Sequence, residues 1–214
     1  VTKKYHVLYV DPPWSYRDKK KDGRTRCGAE NHYECLTNKQ LCALPVQDIA
    51  EDNAVIFMWT TFPMLLDKRN PGHSPPGLVM QSWGFEYKTI GFVWVKTNQD
   101  KTIWHGVGAY AKSNAEICLM GTRGRVGRLI KDKVTGLHIT TDPKEKLSVV
   151  SNYVSSVVMA GSIGHSRKPP IVRDKIVQLF GDVSRVELFA RDGAVGWDAV
   201  GDELNGLKVE DVGK

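Results

Sequence analysis

The 214-residue chain predicts an α/β fold: a mainly parallel sheet with helices on both faces. Three observations carry that prediction. Short β-branched or aromatic runs recur along the chain, bounded by turn residues. Helix-like segments with apolar stripes lie between them. The stretch "VDPPWSYR" closes the first run with two prolines, which halt ladder bonding and end a strand where Asp11 begins.

The strands are predicted at 5–10 ("YHVLYV"), 55–60 ("VIFMWT"), 87–95 ("YKTIGFVWV"), 115–120 ("AEICLM"), 154–159 and 185–190 ("RVELFA"). The first helix is predicted in "TNKQLCALPVQDIA", with Thr37 as N-cap and Leu41 and Leu44 on one face. "FPMLLDKR" predicts a second. "KPPIVRDKIVQLFGD" gives the clearest: Pro169 and Pro170 suit its start, Val172, Ile176, Leu179 and Phe180 form a stripe, and Gly181 stops it. "NPGHSPPG" (70–77) reads as a surface insertion. The stretches 15–33 and 97–113 are long, polar and glycine-containing, as active-site loops often are. A single domain over 1–214 accommodates all of this.

Apolar residues make up 41% of the chain and charged residues 25%, an ordinary globular balance. No apolar stretch approaches the roughly 20 residues of a membrane span, and no signal peptide precedes the first strand, so a cytoplasmic location is expected. Cys27, Cys35, Cys42 and Cys118 form no C-x-x-C pair and no zinc spacing, so they read as reduced thiols and no metal is expected. The net charge of +6 is concentrated in "RDKKKDGRTR" (17–26) and "RGRVGRLIKDK" (123–133). Two such runs favour phosphate contact over simple solvation.

Nucleotide motifs narrow the ligand. There is no P-loop. "GVGAYA" (106–111) matches G-x-G-x-x-A by letter, but it precedes a strand instead of following one, which excludes a dinucleotide fingerprint. Asp11 instead places a carboxylate at a strand's C-terminal end, where open α/β sheets bind ligands. Near the C-terminus, "VELFARDGAVGWDAVGDEL" puts an acid at another strand end, then glycines that permit close backbone approach. "GHSRKPP" (164–170) sets Lys168 before a helix N-terminus, a place suited to a carboxylate. A ligand with a ribose at one end and an α-carboxylate at the other fits both sites. S-adenosylmethionine is such a ligand, and Asp11 would lie near its sulfonium.

These residues resemble a known family. "VDPPW" is similar to motif IV of amino-methylating methyltransferases. With "HYECLT", "VIFMWTT", "WGFEYKTIGFVWVKTNQ", "AEICLMGTRG", "HSRKPP" and "ELFAR…GW…GDEL", it makes residues 5–205 resemble the N6-adenine methyltransferases typified by the catalytic large subunit of the eukaryotic mRNA N6-adenosine writer. The resemblance implies a Rossmann-like class I S-adenosylmethionine-dependent fold in circularly permuted (beta-class) order, since Asp11 precedes Glu187. It implies that Asp11, Pro12, Pro13 and Trp14 are the catalytic tetrad. It places Tyr33, Trp59 and Trp94 at the substrate pocket. It assigns Lys168 to the methionine carboxylate and Glu187, Arg191, Asp202 and Glu203 to the nucleoside end. Asp202-Glu203 stands where family members often carry Asn-Gln, and "DGAVG" is shorter than in the eukaryotic enzyme.

The implied chemistry suits these residue types. The N6 lone pair of adenine is delocalised into the ring. An Asp11 carboxylate and a Pro12 carbonyl, both accepting from N6–H, would turn it toward a methyl group. Both contacts strengthen as N6 gains charge, and such interactions raise rate. Trp14 is expected to offer a stacking face to an extruded base. Lys19, Lys20 and Lys21 are expected to contact the nucleic-acid backbone. The expected substrate is DNA, in a bacterial or phage protein. The alternatives are the same reaction on RNA, a catalytically silent nucleic-acid-binding partner subunit, or amino methylation of cytosine or protein glutamine. The sequence allows a homodimer or a partner subunit.

Overall fold

The computed structural model describes residues 3–15, 35–66, 74–106, 108, 110–131, 138–140, 147–162, 167–201, 204 and 209. Among the described residues nine strands run in chain order: β1 (Tyr5–Val10), β2 (Ala50–Thr60), β3 (Glu86–Thr97), β4 (Ala115–Arg123), β5 (Leu129–Lys131), β6 (His138–Thr140), β7 (Val157–Gly161), β8 (Arg185–Leu188) and β9 (Asp198–Val200). Seven form one sheet in the order β7-β3-β4-β2-β1-β8-β9, and β5 pairs with β6 alone. The sheet is mainly parallel, but β4 runs antiparallel to both β2 and β3. Strand direction is set by long-range pairing, which the local apolar pattern of "AEICLM" does not encode.

β1 shows why the first apolar run becomes a strand between two layers. Leu8 and Val10 enter the core on one face, and Val7 and Tyr9 enter it on the other. Helices α1 (Asn38–Ala43) and α2 (Pro75–Ser82) cover the first face through Leu41, Val79 and Met80. Helix α3 (Ile171–Phe180) covers the second through Val172, Ile176 and Phe180. Each of these three side chains contributes roughly 1.5–3 kcal/mol by leaving water.

Local signals account for the helix ends. Thr37 and Gln40 form a reciprocal capping box at α1. α3 stops at Gly181, whose φ of 73° suits glycine. Three expectations need correction. The "SPPG" end of the expected surface insertion opens α2, because Ser74 caps the helix and Pro75 takes a position whose N–H needs no partner. "FPMLLDKR" yields only a 3₁₀ turn at Phe62–Met64 within its described part. Thr61 makes no side-chain cap there, and only Met64 and Leu65 pack partly against the core while Phe62 and Leu66 are exposed, too narrow an apolar face to hold a longer helix. β7 begins at Val157, not 154, as its pairing with Val93 on β3 dictates.

The expected loop at 15–33 lies outside the described residues beyond Ser15. The start of the 97–113 loop is ordered. Asn98 N–H donates to the Thr102 carbonyl, and Trp104 N–H donates to Lys96, folding the chain back against β3.

Candidate active site

β1 and β8 are adjacent in the sheet although nearly the whole chain separates them. Asp11 follows β1 directly, and its N–H lies 3.5 Å from the Leu188 carbonyl at the end of β8. Trp14 N–H donates to the Pro12 carbonyl at 2.8 Å, and Leu36 N–H donates to that of Pro13. The prolines therefore stop the strand and close a tight turn that is pinned to the start of the α1 segment. Pro12 keeps a second carbonyl lone pair for another donor.

A row of alternating charges joins this turn to the segment before α3 and to the sheet. Lys168 Nζ is 2.7 Å from Asp11 Oδ2 and 3.3 Å from Glu116 Oε2. Glu116 Oε1 is 2.6 Å from Lys96 Nζ. Burial pushes the Asp11 carboxyl above its ordinary value, with Lys168 opposing. Burial also pushes Glu116 up, but Lys168 and Lys96 outweigh it and hold that carboxyl below its usual range. The Lys168 ammonium pays a burial penalty that Asp11 and Glu116 more than offset, so its pKa is raised.

Three tryptophans frame the row. Trp14 indole N–H donates to the Trp59 carbonyl at 3.0 Å. Trp59 indole N–H donates to the Tyr9 hydroxyl at 2.7 Å. Trp94 indole N–H donates to the Ala160 carbonyl, and its ring meets Trp59 edge-on at 6.3 Å. The Lys168 ammonium sits 5.7 Å from the Trp59 ring centroid, and Lys96 4.9 Å from that of Trp94. All three tryptophans are buried. Trp14 packs into the α1–α2 side of the core, so the expected open stacking face on it is not found. Its observed contacts hold the turn instead.

Glu187, on β8, is buried and paired with Arg173 of α3, Nε to Oε2 at 2.5 Å. Burial raises its carboxyl, with Arg173 opposing. The next turn places Phe189 at φ 59°, a left-handed conformation uncommon for a non-glycine residue. Arg191, beyond it, acts electrostatically on Asp11. Gly201 packs on the Ala190 backbone, where any Cβ would collide with the carbonyl, so its observed close approach is to the chain itself. Asp202, Glu203, Tyr33, Lys19, Lys20 and Lys21 lie outside the described residues.

The structure thus brings Asp11, Trp59, Trp94 and Lys168 together in one contact network, with Glu187 and Arg191 acting electrostatically on Asp11 from β8 and the turn after it. It adds Glu116, Lys96 and Arg173, which the sequence reading missed. The available signal was a charged residue inside each of two apolar strands, "AEICLM" and "WVKT". Among the described residues no group of three metal-ligating side chains occurs, and no helix is long and apolar enough to cross a membrane.

Comparison with known proteins places this geometry. The MT-A70 family model matches residues 5–203. This chain belongs to the MT-A70 family. It is 32% identical over 222 residues to the Type II methyltransferase M.MunI of Mycoplasma sp, covering 97% of this chain and 81% of that protein. It is 25% identical to a probable N(6)-adenosine-methyltransferase MT-A70-like protein of Oryza sativa subsp. japonica over 98% of this chain, but only 24% of that protein. It is 22% identical to the human N(6)-adenine-specific methyltransferase METTL4, over 94% of this chain and 38% of that protein. The chain spans well under half of the two eukaryotic relatives. The MT-A70 sheet is that of S-adenosylmethionine-dependent methyltransferases. Here it has the order in which the Asp-Pro-Pro-Trp strand comes first in the chain.

Proposed function

We propose that this MT-A70 protein transfers a methyl group from S-adenosylmethionine to N6 of adenine in DNA, with Asp11 and the Pro12 carbonyl as the two acceptors for the amine. One observation carries the reading. An Asp-Pro-Pro-Trp turn ends β1 beside β8, with its carboxylate facing the buried lysine that precedes α3.

The donor set fits the cofactor. Lys168, just before the positive N-terminal end of α3, suits a carboxylate. Asp11 suits a nearby cation, and Glu187, Arg191, Asp202 and Glu203 are assigned to the nucleoside end. When bound, S-adenosylmethionine supplies an electrophilic methyl on a sulfonium. This chain's residues do the rest. Lys168 exchanges its contact with Asp11 for the carboxylate it is assigned to hold. The freed Asp11 oxygen and the Pro12 carbonyl then accept the two N6–H bonds and orient the lone pair. Glu116 remains neutralised by Lys96, so the cleft does not gain a stray buried negative charge.

DNA is favoured because the Type II methyltransferase M.MunI is matched across most of both lengths. Tyr33 is assigned to the target base, and Lys19, Lys20 and Lys21 to the backbone. A homodimer or a partner subunit would supply further recognition surface, and a cytoplasmic setting in a bacterial or phage context is part of the proposal. Transfer of tritium from labelled cofactor to matched DNA and RNA oligonucleotides, followed by nucleoside mass spectrometry, tests polymer and base together. N6-methyladenine in DNA is expected. Label on cytosine alone, or on protein, would refute the reading.

A further inference from the structure

We infer that the pocket beside Trp104, between the C-terminal ends of β3 and β7, is a subsite for an unstacked nucleobase flanking the target adenine; this rests on the function proposed above. The cavity measures about 670 Å³, within the range of small-ligand sites. Trp104, Gln99 and Lys101 line it from the segment after β3, and Met159 and Ser162 from β7 and its end.

Trp104 is unlike the rest of its kind in this chain. Trp14, Trp59, Trp83, Trp94 and Trp197 are each 9% exposed or less, whereas Trp104 is 41% exposed. Its backbone is fixed by the Lys96 carbonyl at 2.9 Å, and the preceding turn is closed by bonds between Asn98 and Thr102. The Thr102 hydroxyl and N–H both donate to Asp100 Oδ1, which accounts for its lowered carboxyl. An indole presented this way is pre-organised, so stacking on it costs little ordering. Met159 supplies a polarisable thioether opposite, and it is exposed. Gln99 and Ser162 offer amide and hydroxyl groups for a base edge, and Lys101 an ammonium for a phosphate.

Continuity with the catalytic cleft selects the occupant. Lys96 Nζ lies 5.6 Å from the Trp104 ring centroid and bonds to Glu116, which meets Lys168, which meets Asp11. A strand whose adenine reaches Asp11 would carry its neighbour toward this shelf. The mixed polar lining and adjacent cations suit a nucleotide better than an apolar protein segment.

Steady-state methylation of short single-stranded oligonucleotides tests this. Each carries one target adenine, with either intact or abasic flanking positions. Trp104→Ala should raise KM for the intact strand roughly 5- to 150-fold, the range of one lost stacked base. Trp104→Phe should recover most of it, and Trp104→Ala should match the parent on the strand whose stacked flank is abasic. A 2-aminopurine at that flank should be quenched by the parent and not by Trp104→Ala. A KM change under twofold overturns the inference, as does an equal penalty on the abasic strand. So does a penalty that tracks a changed oligomeric state, which would mark a protein contact. A parent that methylates no oligonucleotide sinks the proposed function, whereas the 2-aminopurine signal reports on the pocket independently.

Discussion

Lys168 and Asp11 lie 157 residues apart in the chain and meet at 2.7 Å between the end of β1 and the start of α3. The ammonium holds the carboxylate that the proposed chemistry needs as an acceptor for N6–H. Asp11→Asn keeps the shape of that side chain and removes its charge. Single-turnover methyl transfer should fall by at least about 10²–10³, the usual cost of losing one preorganised electrostatic partner. Cofactor affinity, measured by calorimetry, should change less. Near-normal transfer by the variant would remove Asp11 from the mechanism.

The same pair sets a pH dependence. Burial raises the Asp11 carboxyl, Lys168 and Arg191 pull it down, and Glu116 pushes it up. Only the ionised form accepts a hydrogen bond at both oxygens. The kcat/KM for the methyl donor reports the free enzyme. It should therefore rise with pH through a limb above the ordinary carboxylate value of about 3.9. Lys168→Met should move that limb up, and Glu116→Gln should move it down. A limb fixed in all three proteins would belong to another group. Stability has the opposite sign. A carboxyl raised by folding holds its proton more tightly in the folded state, so its contribution is full at low pH and is lost as pH rises through the folded value.

The acid-proline turn, β1, β2, β3, β4, β7, β8 and α3 are legible because their causes are local, whereas the three-residue strands β5, β6 and β9 are too short to leave a pattern. β-branched runs, prolines and a terminal glycine act within a few residues. The antiparallel insertion of β4 was not legible, since "AEICLM" reads the same in either direction. α2 was hidden because Pro-Pro-Gly signals a turn unless Ser74 is read as its cap. The charge row escaped for a related reason. Lys96, Glu116 and Lys168 are close only because β3 pairs with β4 and α3 packs over the sheet. Trp14 was read correctly as part of the turn and wrongly as an open face, because sequence does not show which side of an indole the core takes.

The Arg173–Glu187 pair makes a stability prediction. Both side chains are nearly buried, and they bond at 2.5 Å. Arg173→Met leaves a carboxylate without its partner, which costs about 3–5 kcal/mol. The loss should grow as pH rises and Glu187 ionises. Arg173→Met combined with Glu187→Gln should recover most of it, since a neutral amide tolerates the site better. Urea unfolding of the three proteins checks this. Additive losses in the double variant would show that the two side chains do not act on each other.

Tyr9 and Trp59 give a neutral counterpart. The Tyr9 hydroxyl accepts the Trp59 indole N–H at 2.7 Å in a fully buried setting, and Trp59 in turn accepts from Trp14 at its carbonyl. Tyr9→Phe preserves the ring, including its edge contact with Trp197 at 5.9 Å. It removes only the acceptor. The stranded indole N–H should cost about 1–3 kcal/mol. Because Trp59 also faces the Lys168 ammonium, a ring released from Tyr9 should loosen that lysine and weaken cofactor binding several-fold. Denaturant midpoints together with cofactor titration check both effects. Loss of stability with unchanged cofactor affinity would confine the Tyr9–Trp59 bond to the core and detach it from the site.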